Sequence, residues 1–278
     1  MVPPEGEEAM MSEHSKSSGR TGTSAWVSLG LAGLLWSACN GGEEKKPTLQ
    51  VYTSGMPTAG KPVEITLRLF DGQGEPVRKF ETMHEKQVHL LIMSRDLDYF
   101  AHEHPQPMEG GALGLVVTFP TAGEYVLFGD YKPEGGRITV SSSRLTVQGT
   151  GVMKDPDLRK DDLSQARRKG DFEVKLDQEV HGSDSMLSFT MTRGGKPVSE
   201  LHPYLGARGH LVIVDPGAST LLHSHPIDSR EPGKVAFHAR FPSPGLYKLW
   251  AEFRPEGKPL LVDFVIEVTE AGRSRHAH

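Results

Sequence analysis

Residues 63–69, Val-Glu-Ile-Thr-Leu-Arg-Leu, alternate apolar and polar positions with a period of two. That is the pattern of a strand with one face buried and the other wet. Short apolar runs follow at 88–93, 115–119, 125–128 and 138–147. A second set lies at 187–192, 210–214, 235–241, 247–253 and 260–268. Gly, Pro and Asp separate the runs, and no amphipathic stretch of helical length comes between them. The pattern predicts an all-β chain of short antiparallel strands.

The second set echoes the first. Gly74-x-Pro76-Val77 recurs as Gly195-x-Pro197-Val198, His89-Leu90 as His210-Leu211, and His102-Glu-His-Pro105 as His223-Ser-His-Pro226, each offset by 121. Phe119-Pro-Thr-Ala-Gly-Glu-Tyr125 recurs as Phe241-Pro-Ser-Pro-Gly-Leu-Tyr247, and Tyr131-Lys-Pro-Glu-Gly135 as Phe253-Arg-Pro-Glu-Gly257, both offset by 122. A nearly constant offset across five blocks indicates duplication. Two tandem immunoglobulin-like antiparallel β-sandwich domains are expected, at 48–148 and 172–269. Tyr125 and Tyr247 fit a tyrosine corner, a structural role. The charged segment 149–171 reads as a linker with one short helical turn, and 270–278 as a frayed tail.

The N-terminal region has a different character. Residues 25–36 are apolar and uncharged, Lys16 and Arg20 precede them, and Ser37 and Ala38 follow. A basic region, a short apolar region and a small-residue exit describe a signal peptide over 1–38, too short for a comfortable membrane span. Leu35-Trp-Ser-Ala-Cys39 resembles a bacterial lipoprotein lipobox, with Trp36 where an aliphatic residue is usual. The resemblance implies that Cys39 is lipidated and becomes the first mature residue, with 39–47 as a tether. The chain is then expected in the cell envelope, lipid-anchored at the periplasmic or outer membrane. Cys39 is the only cysteine, so there is neither an internal disulfide framework nor a zinc site built on several thiolates. With 31 Lys and Arg against 36 Asp and Glu, the net charge is −5, and nucleic acid is not expected as a partner.

The chain has 13 histidines, and their placement carries the chemistry. His89, His102 and His104 recur at the same spacing as His210, His223 and His225. In each repeat, the strand carrying the first histidine is joined through a turn to a strand carrying the other two. A symmetric hairpin sets His89 opposite His104 and His210 opposite His225. The two members of His-x-His share one face because side chains alternate along a strand. Three imidazoles then converge per repeat, a donor set suited to copper or zinc that leaves a coordination position open. Asp130 and Glu252, at matched repeat positions, are candidates to complete or support each set. Met83, Met93 and Met108 lie near the first set but lack counterparts. His84, His181, His202 and His238 do not align between repeats and read as ordinary residues, while Phe128 and Trp250 read as packing.

Leu201-His-Pro-Tyr-Leu-Gly-Ala-Arg-Gly-His-Leu-Val-Ile-Val214, followed by Leu222-His-Ser-His-Pro226, resembles secreted bacterial immunoglobulin-like domains of the YtkA-like and CopC-like group. The first repeat matches through Asp98-Tyr-Phe-Ala-His-Glu-His-Pro105 but lacks the Pro-Tyr-Leu-Gly segment. The resemblance implies a β-sandwich and an extracytoplasmic role in handling metal, often beside copper or heavy-metal efflux. The N-terminal histidine usual in CopC-like copper sites does not carry over to a lipidated Cys39. The expected function is a copper-binding, or zinc-binding, lipoprotein that buffers metal or delivers it to a transporter. The alternative is a non-metal tandem interaction module of the envelope. No nucleophile elbow or catalytic triad motif appears, and an enzyme is not expected.

Overall fold

The computed structural model describes residues 46–151, 153–181, 183–227 and 231–269. The expected signal peptide, Cys39 and the tail 270–278 lie outside the described residues. The chain is all-β, in two tandem sandwich repeats.

The first repeat is built from β1 (Thr48–Thr53), β2 (Pro62–Phe70), β3 (Phe80–Glu81), β4 (Val88–Ser94), β5 (Phe100–Glu103), β6 (Gln106–Pro107), β7 (Leu113–Thr118), β8 (Gly123–Pro133) and β9 (Thr139–Val147). One sheet runs β1-β2-β7-β6 and the other β3-β8-β4-β5, with β9 also on β8. The second repeat comprises β10 (Arg167–Lys169), β11 (Phe172–His181), β12 (Asp184–Arg193), β13 (Lys196–Pro197), β14 (His210–Val214), β15 (Leu221–Ser224), β16 (Pro226–Ile227), β17 (Lys234–Arg240), β18 (Gly245–Phe253) and β19 (Leu260–Val268). Its sheets run β10-β11-β12-β17-β16, with β13 on β12, and β15-β14-β18-β19.

Period-two strands behave as their pattern dictates. In β2, Val63, Ile65, Leu67 and Leu69 are buried in the first core, and in β12, Leu187, Phe189 and Met191 fill the second. β4 and β14 are different: every residue is buried. Val88, Leu90 and Ile92 face their own core, while Leu91 and Met93 on the opposite face join a third cluster. That cluster unites Leu91, Met93, Leu97, Phe100, Val126 and Phe128 of the first repeat with Val212, Val214, Ala218 and Trp250 of the second. Phe100 stacks on Trp250 with centroids 4.8 Å apart and planes 11° from parallel. The two repeats are therefore joined by an apolar layer, and each large side chain removed from water there contributes about 1.5–3 kcal/mol. Phe128 and Trp250 pack, as the sequence suggests.

The tyrosine corners form as expected. Tyr125 Oη donates to the Thr121 carbonyl at 2.9 Å, and Tyr247 Oη to the Ser243 carbonyl at 2.8 Å. Gly123 and Gly245, which open the strands carrying these tyrosines, have φ of 139° and 148°, a region that favours glycine.

The segment 149–171 needs correction. Its described residues include one hydrogen-bonded turn, Gln165 N–H to the Asp162 carbonyl at 3.0 Å, and it is not free of the second repeat. Asp161 donates from its amide to the Val265 carbonyl and accepts from the Val265 amide, while Leu163 packs on the second core. The second repeat begins with β10, because Arg167–Lys169 pairs with 172–174 across a turn at Gly170, φ 58°. Its basic residues pair with Asp161 and Glu173, so a strand forms without an apolar pattern to announce it.

Candidate metal centre

The β4–β5 register pairs Leu91 with His102 and Leu90 with Glu103, so the next step along the ladder opposes His89 and His104. The β14–β15 register pairs Leu211 with Ser224 and opposes His210 and His225 in the same way. His104 and His225 each precede a proline, which closes the strand. The hairpin geometry read from the sequence is thus the one adopted. His89, His102 and His104 offer one ligand atom each within 4.8 Å of one another, and so do His210, His223 and His225. Nitrogens bound to zinc at about 2.0–2.1 Å stand about 3.3–3.5 Å apart, so a modest contraction closes either triad on an ion.

The second nitrogen of each inner ring is already committed. His89 Nε2 donates to the Met83 carbonyl at 3.0 Å, and His210 Nε2 to the Tyr204 carbonyl at 2.9 Å. His102 Nδ1 lies 2.6 Å from Glu252 Oε2, and His223 Nδ1 lies 2.7 Å from Asp130 Oδ2. Such partners fix ring orientation and tautomer and leave the other nitrogen as a lone pair, the arrangement that supports metal-binding histidines. The buried His104 Nε2, His210 Nδ1, His223 Nε2 and His225 Nε2 have no hydrogen-bond partner among the described residues. His89 Nδ1 faces His102 Nε2 at 2.9 Å. Two lone pairs at that distance repel, so the contact calls for a proton or a cation between them.

The carboxylates cross between repeats. Glu252 of the second repeat supports His102 of the first, and Asp130 of the first supports His223 of the second. The triads consequently abut. His89 and His102 lie 5.3 and 5.4 Å from His223, and His102 lies 5.5 Å from His210, between ring centroids. Asp130 and Glu252 thus support the triads rather than join them.

The sequence profile of one family, described as a domain of unknown function (DUF8832), matches this chain twice, at residues 44–149 and 166–270. The chain belongs to that family. The two matches coincide with the two sandwiches, so each DUF8832 repeat supplies one histidine triad. No curated protein matches. Among solved structures, a tetra-tandem repeat from the extending region of a large adhesion protein is 11% identical over 81% of this chain and 50% of that one, TM-score 0.29. The chain spans half the length of that protein. A two-domain fibronectin type-III segment of chicken tenascin is 11% identical over 81% of this chain and 100% of that one, TM-score 0.24. Invasin, a bacterial integrin-binding protein, is 12% identical over 82% of this chain and 41% of that one, TM-score 0.22.

Burial favours the neutral form of five imidazoles in this DUF8832 pair. Desolvation pushes His89 down to about 4, His104, His210 and His225 to about 3, and His102 to about 2, with neighbouring histidines adding to the shift. Neutral imidazole is the ligating form. Burial raises Glu252 to about 7. A single proton shared along Glu252, His102 and His89 satisfies both short contacts.

Two details lie outside the sequence expectations. His84, read as an ordinary residue, stacks on His225 of the other repeat with centroids 3.5 Å apart and planes 16° from parallel. It reaches there through a strained loop in which His84 and Glu85 have φ of 47° and 67°. Its counterpart by offset is Leu205, so no repeat pattern signalled it. Gly209 lies so close to Phe253 that a Cβ would stand 2.7 Å from the ring, which lets the chain seat His210 against β18. The methionines play no ligand part: Met83 acts through its carbonyl, Met93 is packing, and Met108 is exposed. His202 and His238 are surface residues beside Glu200 and Asp184, as expected.

Proposed function

We propose that this chain is a lipid-anchored envelope protein that binds copper, or zinc in its place, at the paired triads. It would buffer the ion or hand it to a membrane transporter or efflux system, acting as a carrier rather than an enzyme. The observation that carries this reading is the convergence of three imidazoles per repeat, with His89, His102, His210 and His223 each oriented by a carbonyl or carboxylate on one ring nitrogen and four buried ring nitrogens of the triads left unpartnered. Nitrogen donors of this kind suit copper and zinc. The likeness of 201–214 and 222–226 to YtkA-like and CopC-like domains favours copper. The lipobox-like Leu35–Cys39 segment supports the membrane anchor and the envelope location. The net charge of −5 argues against nucleic acid as a partner.

A second reading has its own observation. The apolar layer between repeats unites the pair without any ion, which suits a non-metal tandem module that displays a surface in the envelope. Calorimetric titration of the full-length chain in detergent with Cu(I), Cu(II) and Zn(II) separates the two. A variant with His102, His104, His223 and His225 all changed to Ala runs beside it. Tight binding that the variant loses, with its far-UV circular dichroism retained, supports the carrier. Weak binding equal in both proteins overturns it in favour of the module.

A further inference from the structure

The charge inventory of the centre constrains its cargo. Both candidate ligand sets are made of histidine alone, so a bound ion keeps its full charge. The carboxylates in contact with the triads are Asp130, 5% exposed, and Glu252, whose side chain is 18% exposed. Glu103 and Lys86 also act on this region electrostatically, but Glu103 is exposed and the two oppose each other. The centre therefore offers two negative charges for two ion positions. Those positions are separated only by packed imidazoles, with His102 and His223 in ring contact at 5.4 Å.

Two divalent ions add four positive charges against two negative ones, leaving a net buried charge of two. Two monovalent ions are neutralised by the two carboxylates. Whatever the separation, two dications repel each other four times as strongly as two monocations, and burial weakens the screening. A buried net charge is costly unless it is paired. The donor number agrees, because three nitrogens satisfy a copper(I) ion while zinc takes a fourth ligand.

We infer that the centre takes two copper(I) ions as its cargo and resists filling both triads with divalent ions. The inference rests on the metal-binding reading above. It gives the two carboxylates, each crossing to the other repeat, a joint role in balancing the charge of a paired load.

The test is a competition titration of the full-length chain in detergent, in chloride-free buffer, with Cu(I) under anaerobic reducing conditions and separately with Zn(II). Two Cu(I) equivalents should bind with affinities within about tenfold of each other, while the second Zn(II) should bind about a hundredfold or more weakly than the first. The His104→Ala and His225→Ala variants, each with one triad disabled, should each take a single Zn(II) about as tightly as the first equivalent on the wild-type chain. That result assigns the weak second step to coupling. Two equally tight Zn(II) equivalents, or a single Cu(I), would overturn the inference while leaving metal binding intact. So would one variant that binds no Zn(II) while folded. Failure of both ions to bind tightly would instead remove the metal-binding reading itself.

Discussion

Replacing Glu252 by Gln tests the crossed support directly. Gln keeps the size of the side chain and its acceptor for the His102 Nδ1 proton, and removes only the charge. The carboxylate stands 2.6 Å from His102 Nδ1. Adding about 2.2 Å across the ring and a metal–nitrogen bond of about 2.0 Å places it roughly 6.5 Å from an ion on His102. At an effective dielectric near 20, one unit charge at that distance contributes about 2.5 kcal/mol. That corresponds to a loss of about 70-fold, within the 10–100-fold typical for partners of metal-binding histidines. The assay is a single-site Cu(I) titration under anaerobic reducing conditions in two backgrounds, the monovalent ion matching the unit charge used above. His225→Ala leaves the first-repeat triad to be read, and His104→Ala leaves the second. Glu252→Gln should weaken the first-repeat triad 10–100-fold and the second, which lacks the His102 contact, by a clearly smaller factor. Glu252 belongs to the second repeat, so the larger loss should appear in the repeat that does not contain the mutation. Equal losses, or a loss confined to the second triad, would refute the crossed arrangement.

Three further outcomes follow from the same geometry. Trp250→Ala, which empties a buried site stacked on Phe100, should cost about 3–5 kcal/mol and lower the thermal midpoint; an unchanged midpoint in scanning calorimetry would deny the inter-repeat layer its role. Tyr247→Phe removes the bond to the Ser243 carbonyl and should cost about 1 kcal/mol in urea unfolding with metal stoichiometry unaltered. The metal-free chain should lose stability as pH falls from 6.5 towards about 4, because its buried histidines titrate well below 6.5 and refuse protons that the unfolded chain accepts. Each such histidine contributes about 1.4 kcal/mol per pH unit across that window and nothing above it. Glu252, raised to about 7, opposes the trend with a single proton. A urea midpoint that stays flat from pH 6.5 to 4 would contradict burial of neutral imidazoles.

Much of this was legible in the chain. The period-two run at 63–69 becomes β2, and the equal spacing of the histidines carries over into equal hairpin registers. Thr48–Thr53 and Phe172–His181 are strands that the apolar runs did not announce, because only alternate positions such as Leu49, Val174 and Leu176 are buried. The crossing of Asp130 and Glu252 depends on which sheet faces meet, and no local pattern encodes a contact between residues 93 or 150 positions apart. One signal did point towards it. Residues 90–93 and 211–214 are apolar without alternation, as befits strands covered on both faces. A sandwich alone covers one face of each strand, so an unbroken run in both repeats asks for a second sheet against it. His84 carried no such mark, since it has no counterpart and reaches the site through an irregular loop.

The contact between repeats has the form of a two-fold dimer whose protomers share one chain. His102 meets Glu252 as His223 meets Asp130, so each surface presents the same histidine and the same acidic position to its partner. This form explains why neither repeat is sufficient. A separated first repeat would expose Leu91, Met93 and Phe128 and leave His102 without a carboxylate, and a separated second repeat would do the same with Val212, Val214, Trp250 and His223. The apolar layer and the polar centre therefore depend on each other. Packing excludes water from the imidazoles and holds the carboxylates at bonding distance, and only in that buried setting do two acidic groups suffice to govern what charge the pair of triads accepts. The departures from symmetry fall beside the triads rather than in them: His84 where the second repeat has Leu205, Met83 where it has Tyr204, and Asp130 where it has Glu252. The ligand sets stay alike while their surroundings differ, so the two copies are unequal in support and equal in donors, and it is the donors and the two crossed carboxylates that set what the pair accepts.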